Sequence, residues 1–196
     1  MRFLANNRRL VQVYLQFAAV SLIFYGAFFG LPLWLQQARH FEPAQVGLIV
    51  LPISGMAVLL TPLAARLISK RGLRPSLVIG ACALLAGELL QLTLDTATPI
   101  GLLVGVTAVI GVASAFNNLG LQAALYQFAP AQLMGTATGQ FQTFRYIGAT
   151  LCTALLGFVF VGTATSDGLH TLALALAPVA GLLLIAGARM DTADTA

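Results

Sequence analysis

Polar side chains recur every four residues within a long uncharged segment of this chain, Thr96 to Phe144. They are Ser114, Asn118, Gln122 and Tyr126, with Asn117 beside them. A spacing of four residues places side chains on one face of a helix. Their hydroxyl and amide groups could hydrogen-bond a small polar or amphiphilic ligand. They could equally hydrogen-bond neighbouring helices and only hold a bundle together. The residues alone leave both interpretations open.

Neighbouring apolar segments carry further polar groups. Arg145 could contact an anionic group or a carboxylate on another helix, or it could extend its long side chain to the membrane interface. Glu88 is the only carboxylate within an apolar segment. It is a candidate to carry a proton, although a position about two turns from the segment's end could also leave it solvated. The candidate ligand-contacting residues are Gln16, Tyr25, Ser114, Asn117, Asn118, Gln122, Tyr126, Gln142 and Tyr146.

Composition and the missing motifs narrow the class of protein. The chain is 59% hydrophobic and 8% charged, whereas charged residues make up about a quarter of a soluble domain. Cys82 and Cys152 lie in apolar segments, where cysteine usually behaves as a small hydrophobe. The sequence contains no H-E-x-x-H, G-x-S-x-G or G-x-x-x-x-G-K motif. We therefore expect no enzyme, no metal site and no cofactor.

Six apolar segments have membrane-spanning length, since a bilayer core of about 30 Å takes ~20 apolar residues per helix. They predict an all-α polytopic membrane protein with a six-helix domain over 11–188 and terminal segments 1–10 and 189–196. Pro43, Pro75 and Pro99 suit first-turn positions. Thr98 is predicted to cap the fourth helix, and Ser166 or Asp167 the sixth. The predicted helices are 12–36, 44–67, 75–94, 98–122, 134–162 and 169–188.

Basic residues gather on alternate sides of these segments and predict their orientation. With six spans both termini share one side, and the opposite side has only Arg39. The positive-inside rule makes both termini cytoplasmic in a multi-pass protein of the cell (inner) membrane. This arrangement also explains the basic pI without a nucleic-acid partner. The shared side carries Arg2, Arg8, Arg9, Arg66, Lys70, Arg71, Arg74 and Arg189.

A short internal sequence similarity suggests a repeat. The residues 41–47 (FEPAQVG) open the second segment, and 128–132 (FAPAQ) with Gly135 open the fifth. These are equivalent places in successive units of three helices. Because three helices reverse direction, such units would be inverted repeats, as in many secondary transporters.

Six short motifs are spread along the chain: LPLWLQ at 31–36, GLIVLP at 47–52, PLAARL at 62–67, SKRGLRP at 69–75, GTATG at 135–139 and FRYIG at 144–148. Together they resemble the C-terminal six helices of a major facilitator superfamily transporter, and most closely those of the fourteen-helix drug:proton antiporter family, which includes multidrug exporters.

The resemblance implies half of a major facilitator fold, with the first and fourth helices lining a cavity. It implies proton-coupled export of small amphiphilic molecules or drugs, with the lipid bilayer, protons and a small-molecule substrate as partners. A second six-helix half or a self-dimer would be needed to complete the pathway. The alternative is a truncated, non-transporting fragment or a membrane scaffold.

The loop at 69–75 resembles the superfamily pattern G-x-L-x-D-R-x-G-x-R, which is thought to hold the cytoplasmic ends of helices together. Gly72 and Arg74 match, and Lys70 replaces the first arginine. Ala65 stands in place of the glycine and Ser69 in place of the aspartate. Lys70, Gly72, Arg74 and Arg145 are thus conformational or charge candidates, while the basic residues of the loop could equally just set the topology.

Overall fold

The computed structural model describes residues 7–190, and these residues form six long α-helices. The expected all-α, six-helix architecture is confirmed. Segments 1–6 and 191–196, which include Arg2 and most of both predicted tails, lie outside the described residues. The helices are α1 Arg8–Gln37, α2 Pro43–Arg71, α3 Leu73–Gln91, α4 Ile100–Phe128, α5 Met134–Val159 and α6 Ser166–Ala188, with a short 3-10 turn at Ala131–Leu133.

Five of the six helices in the described chain are long and apolar enough to cross a membrane. The exception is α5, whose 26 residues give sufficient length. It contains Gln140, Gln142 and Arg145 in its first half, and these polar groups lower its hydropathy. A polar spanning helix needs protein or water on its polar side, so α5 cannot face lipid all round.

Helix boundaries follow local capping groups, and two predicted caps are wrong. Pro99, rather than Thr98, occupies the N-cap position of α4, because the Thr98 hydroxyl is bound within the preceding loop. Thr165 caps α6, with its side chain accepting a hydrogen bond from the Gly168 amide at 3.1 Å. The end of α4 also lies six residues beyond the predicted end, at Phe128.

Two sets of contacts define the ends of the bundle. At one end the Asn7 amide donates to the carbonyl of Phe128 at 3.2 Å, which brings the start of α1 to the end of α4. At the other end the Trp34 indole donates to the Ser166 hydroxyl at 3.1 Å. We call the first of these the basic end, because the helix termini there carry Arg8, Arg9, Arg66, Lys70, Arg71, Arg74 and Arg189, and we call the second the far end.

Helices α1–α3 form one three-helix unit and α4–α6 the other, and the main contacts of α1 and α2 are with helices of the other unit. The most extensive packing of α2 is on α4, and that of α1 is on α5. Helix α3 packs behind α4 and against α6, and α6 packs behind α1. The second helix of each unit thus lies on the first helix of the other, as expected for two units related by an approximate two-fold axis. This packing agrees with the predicted inverted repeat.

Glycines permit close approach of the backbones at these exchanged contacts. A Cβ added to Gly148 of α5 would lie 2.2 Å from the carbonyl oxygen of Ala18 in α1. One added to Gly111 of α4 would lie 2.6 Å from the carbonyl oxygen of Ile53 in α2. Between membrane helices, such small-residue packing replaces the hydrophobic driving force that lipid removes. The two glycines therefore fix the distances of α5 and α2 from the central helices.

Candidate functional site

The polar row of α4 lies on a surface that its neighbours leave uncovered. Asn118 and Tyr126 are exposed, as is Gln122, and Ser114 is half-buried. The Asn118 amide donates to the carbonyl and hydroxyl oxygens of Ser114 at 3.0 and 3.1 Å. The Gln122 amide approaches the Tyr126 hydroxyl at 3.5 Å. These bonds stay within α4, so the row is not consumed in contacts between helices.

Asn117 lies on a different face of α4. Its side chain is buried against α3, where a Cβ on Gly80 would lie 2.6 Å from the Asn117 carboxamide. Its amide nitrogen has no hydrogen-bond partner among the described residues. The structure thus separates Asn117 from the exposed row, because neighbouring residues on a helix differ in direction by about 100°. A packing role fits this position better than contact with a ligand.

An aromatic cluster on α1 consists of Phe24, Tyr25, Phe28 and Phe29. Tyr25 stacks on Phe29 with ring centroids 5.5 Å apart, and Phe24 stacks on Phe28 at 5.6 Å. Phe28 and Phe29 remain 37% and 44% exposed. The sequence prediction named only Tyr25 from this group. Spacing of aromatic residues by four, as in 24 with 28 and 25 with 29, was the available signal.

Arg145 binds this cluster from α5. Its Nε and Nη2 atoms donate to the Tyr25 hydroxyl at 3.2 and 3.0 Å. Arg145 is the twelfth residue of α5, so the contact lies well inside the helix and not at its end. A guanidinium has five N–H donors, and two are engaged in this contact. Gln142 and Tyr146 are exposed on the same helix.

We define the front face as the uncovered surface of α1, α4 and α5. Helices α3 and α6 pack against α4 and α1, and the exposed polar row of α4 and the aromatic cluster of α1 lie outside these contacts. The front face combines aromatic rings, amides, hydroxyls and one guanidinium. Its members are Tyr25, Phe28, Phe29, Ser114, Asn118, Gln122, Tyr126, Gln142, Arg145 and Tyr146.

Gln16 does not belong to this face. It is only 6% exposed and lines a cleft between α1 and α6. Its Nε2 atom lacks a hydrogen-bond partner in the described part of the chain. Periodicity could not reveal this difference, since Gln16 and Tyr25 occupy the same apolar segment and only the position of α6 separates them.

Glu88 is buried, with 2% of its surface exposed. The Gln91 amide donates to its Oε1 atom at 3.2 Å. The alternative of a solvated carboxylate near the helix end is therefore wrong, because this part of α3 is packed inside the bundle, with Ile110 of α4 beside the neighbouring Gly87. The sequence prediction overlooked Gln91, although a spacing of three residues places it beside Glu88 on α3.

Gly72 forms the sharp turn between α2 and α3. Its φ of 81° lies in the left-handed region that favours glycine, and its amide donates to the Ile68 carbonyl at 2.9 Å. Lys70 and Arg74 are exposed on either side. The Ser69 hydroxyl donates to the Arg66 carbonyl at 3.0 Å, within α2 itself. The turn geometry explains the glycine; the conformational role of the two bases stays a prediction.

The loop between α3 and α4 is organised by Asp95 at the far end. Its carboxylate accepts from the Ala97 amide at 2.8 Å and from the Thr98 hydroxyl at 3.0 Å. These hydrogen bonds hold the pKa of Asp95 below its usual range. The bond from Thr98 has the largest effect, that from Ala97 the next, and the charge of Arg39 adds a smaller one. Arg39 also donates to the Thr98 carbonyl. This loop therefore joins the two units at the far end.

Within residues 7–190 no three His, Cys, Asp or Glu side chains come together as metal ligands would.

Comparison with known proteins adds evidence of a different kind. The family model described as Major Facilitator Superfamily matches residues 1–153. The uncharacterized MFS-type transporter YwoD of Bacillus subtilis is 34% identical over 82% of this chain and 35% of its own length. The multidrug resistance protein Stp of Mycobacterium tuberculosis is 28% identical over 74% of this chain and 27% of its own.

A further relative is the tetracenomycin C resistance and export protein of Streptomyces glaucescens, 29% identical over 70% of this chain and 26% of its own length. The chain thus spans about a third or less of the length of each of these three relatives.

Proposed function

This chain belongs to the major facilitator superfamily, and from that premise we propose that it forms the substrate-facing C-terminal unit of a transporter that exports small amphiphilic molecules in exchange for protons. The observation that carries the proposal is the front face, where aromatic and hydrogen-bonding side chains stand exposed on the central helices of an otherwise apolar bundle. Two relatives named for multidrug resistance and for tetracenomycin C export support the substrate class.

The front face suits ligands with a flat apolar body and a few polar groups. Phe28 and Phe29 offer exposed rings on which such a body can stack, which is worth about 0.5–1.5 kcal/mol for an aromatic pair beyond the area buried. Asn118 and Gln122 offer amides that donate and accept hydrogen bonds. Arg145 offers its remaining donors to an acceptor oxygen. Binding of this kind tolerates many shapes, as export of varied amphiphiles requires.

A second six-helix unit is part of the proposal. Alternating access moves two units against each other around a central site, and the front face supplies one wall of such a site. Exposed apolar side chains flank it on α2 and α5, including Leu51, Val58 and Leu151, which are 61%, 73% and 56% exposed. We propose that they meet either a partner unit or a second copy of this chain. The helices then span the inner membrane with the basic end on its cytoplasmic side.

Glu88 is the proposed proton-coupling residue. Removing a carboxylate from water is costly unless it is paired, and its observed hydrogen bond comes from a neutral amide, that of Gln91. Uptake of a proton would remove the charge and allow the Gln91 interaction to reorganise. The burial of both side chains within α3 supports this role over that of a surface carboxylate.

The test measures the export of a fluorescent amphiphile from vesicles that contain the protein, in its native assembly, under an imposed proton gradient. Asn118→Ala should slow export two- to tenfold, since one hydrogen bond is worth about 0.5–1.5 kcal/mol. Thr171→Ala is the matched control, because Thr171 is exposed on α6, behind the front face. Glu88→Gln should remove the dependence on the gradient, while Glu42→Gln, exposed at the far end, should not.

Crosslinking completes the test by asking whether the protein assembles. A trapped dimer or partner unit together with the expected variant effects supports the proposal. A strictly monomeric protein that never changes the amphiphile's distribution contradicts it and favours the alternative of a non-transporting scaffold.

A further inference from the structure

A cleft of about 420 Å³ lies between α1 and α6 near the basic end. It does not belong to the front face. Apolar side chains line most of it, among them Leu15 and Ala19 of α1 and Val179 and Leu182 of α6. Its α1 wall runs from Arg8 to Ala19, which is about 16 Å along a helix that rises 1.5 Å per residue. That length is close to one leaflet of a bilayer core of about 30 Å.

Positive charge surrounds the mouth of the cleft. Arg8 belongs to its lining, and Gln12 belongs both to the cleft and to an adjoining pocket of about 170 Å³. Arg9 and Arg189 line that second pocket. Neither lining includes a carboxylate among the described residues. Three guanidinium groups therefore gather at the basic end of an apolar cleft, a combination that attracts an anion with a hydrocarbon chain.

A buried, unsatisfied donor also lies within the wall of the cleft. Gln16 lines the cleft, is 94% buried, and has no partner for its Nε2 atom among the described residues. Leaving a buried donor unpaired is unfavourable. Long side chains on a helix point back toward its N-terminus, so this amide is directed toward the basic end. Rotated into the cleft, this amide would donate the missing hydrogen bond to an ester carbonyl just below a charged headgroup.

We propose that the cleft binds an anionic phospholipid from the leaflet at the basic end. The phosphate lies among Arg8, Arg9 and Arg189, one acyl chain follows Leu15 and Ala19 along the cleft, and an ester carbonyl accepts from Gln16. Charge makes the site selective, because the ammonium group of phosphatidylcholine would be placed beside three guanidinium groups. This site depends only on the chain being in a membrane, and not on the proposed export.

The test uses the purified full chain in detergent, with native mass spectrometry to count bound phosphatidylglycerol and phosphatidylcholine. Phosphatidylglycerol should bind at lower concentration. Arg8→Gln and Arg189→Gln should each weaken it about fivefold, because one basic residue near anionic lipid is worth about 1 kcal/mol. Arg74→Gln is the matched control: it removes the same charge at the same end, and Arg74 is exposed on α3 outside both pockets.

A second pair of variants tests the acyl-chain position. Ala19→Trp should fill the cleft and abolish the preference for phosphatidylglycerol, whereas Leu174→Trp, on an exposed part of α6 outside the cleft, should preserve it. Equal binding of the two lipids overturns the proposal. So does binding that Arg8→Gln weakens no more than Arg74→Gln, since the lipid would then lie elsewhere or another part of the protein would cover the cleft.

Discussion

The closest contact between α1 and α5 makes a quantitative prediction about Gly148. Replacing it by alanine adds a Cβ 2.2 Å from the Ala18 carbonyl oxygen and 3.0 Å from the Leu22 amide nitrogen. Ordinary contact begins at 3.4 Å, so the first distance is about 1.2 Å too short. Both obstructing atoms belong to the backbone, and no side-chain rotation can relieve the clash. Helix α5 must move away from α1.

The expected cost follows from two opposing effects. Overpacking of this kind costs about 1–3 kcal/mol and occasionally more, and a backbone clash belongs at the upper end of that range. Alanine also gains up to about 1 kcal/mol over glycine within a helix. Gly157→Ala on the same helix provides the second effect alone, because its added Cβ meets nothing within 4 Å. Because both variants gain the second effect, they should differ by the overpacking cost alone, about 2–3 kcal/mol in their free energy of unfolding.

Unfolding in mixed micelles of increasing SDS content can measure this difference. The chain has one tryptophan, Trp34, which is fully buried and hydrogen-bonded to Ser166 of α6. Its fluorescence should report the loss of the packed state. A separation of ~2 kcal/mol corresponds to about a thirtyfold change in the unfolding equilibrium constant, well within the range of such a titration.

The same displacement should reach the front face. Arg145 precedes Gly148 by three residues, so a shift of α5 by about 1 Å would stretch its 3.0 and 3.2 Å bonds to Tyr25 beyond hydrogen-bonding distance. We expect Gly148→Ala to alter ligand binding even where the protein stays folded. Equal unfolding free energies for Gly148→Ala and Gly157→Ala would refute the reasoning, because they would show that the helices are not in backbone contact.

Two further predictions concern α3 and the loop after it. Gly80→Ala should destabilise the bundle by about 1–3 kcal/mol, because its Cβ would meet the Asn117 side chain at 2.6 Å. Adding Asn117→Ala should restore most of the lost stability in SDS titrations. A double variant that is no more stable than Gly80→Ala would contradict the contact. The lowered pKa of Asp95 predicts that wild type melts above Asp95→Asn at neutral pH. This difference in melting temperature should disappear as the pH falls below about 4 and through the lowered pKa, because the carboxylate then gains a proton. A difference that survives full acidification excludes the hydrogen bonds to Asp95 as its source.

The sequence was sufficient to predict the six helices and their approximate bounds, because hydropathy and length are properties of single segments. Proline positions helped in the same way, as Pro43 begins α2. The caps of α4 and α6 could not be predicted as well. Thr98 and Thr165 compete with neighbouring groups of similar chemistry, and small differences in loop geometry decide which hydroxyl caps a helix.

The burial and contacts of individual side chains were harder to predict, since they depend on which helices become neighbours. The row from Ser114 to Tyr126 was correctly placed on one face of α4. The burial of Asn117 against Gly80 and of Gln16 beside α6 depends on the positions of α3 and α6, which no pattern within a single segment encodes. The same holds for the bond between Arg145 and Tyr25, whose partners lie 120 residues apart in the chain.

The exchanged packing of the helices has a consequence for how the protein is made. Among the described helices, α3 and α4 are the one consecutive pair that packs extensively, while α2 finds its main partner in α4 and α1 finds its own in α5. When α3 leaves the ribosome, the first three helices are therefore in the bilayer without their principal neighbours. Contacts between distant segments slow the search for the native state.

Stable assembly must then wait for the second unit to be inserted. Until α5 arrives, Gly148 cannot close on Ala18, and the polar groups of the central helices must be satisfied by lipid headgroups, water or a membrane chaperone. We expect a chain stopped after Gln91 to be inserted but degraded, because its three helices lack the surfaces against which they pack. The interval between synthesis of α3 and α5 is thus the period in which this protein is most open to quality control.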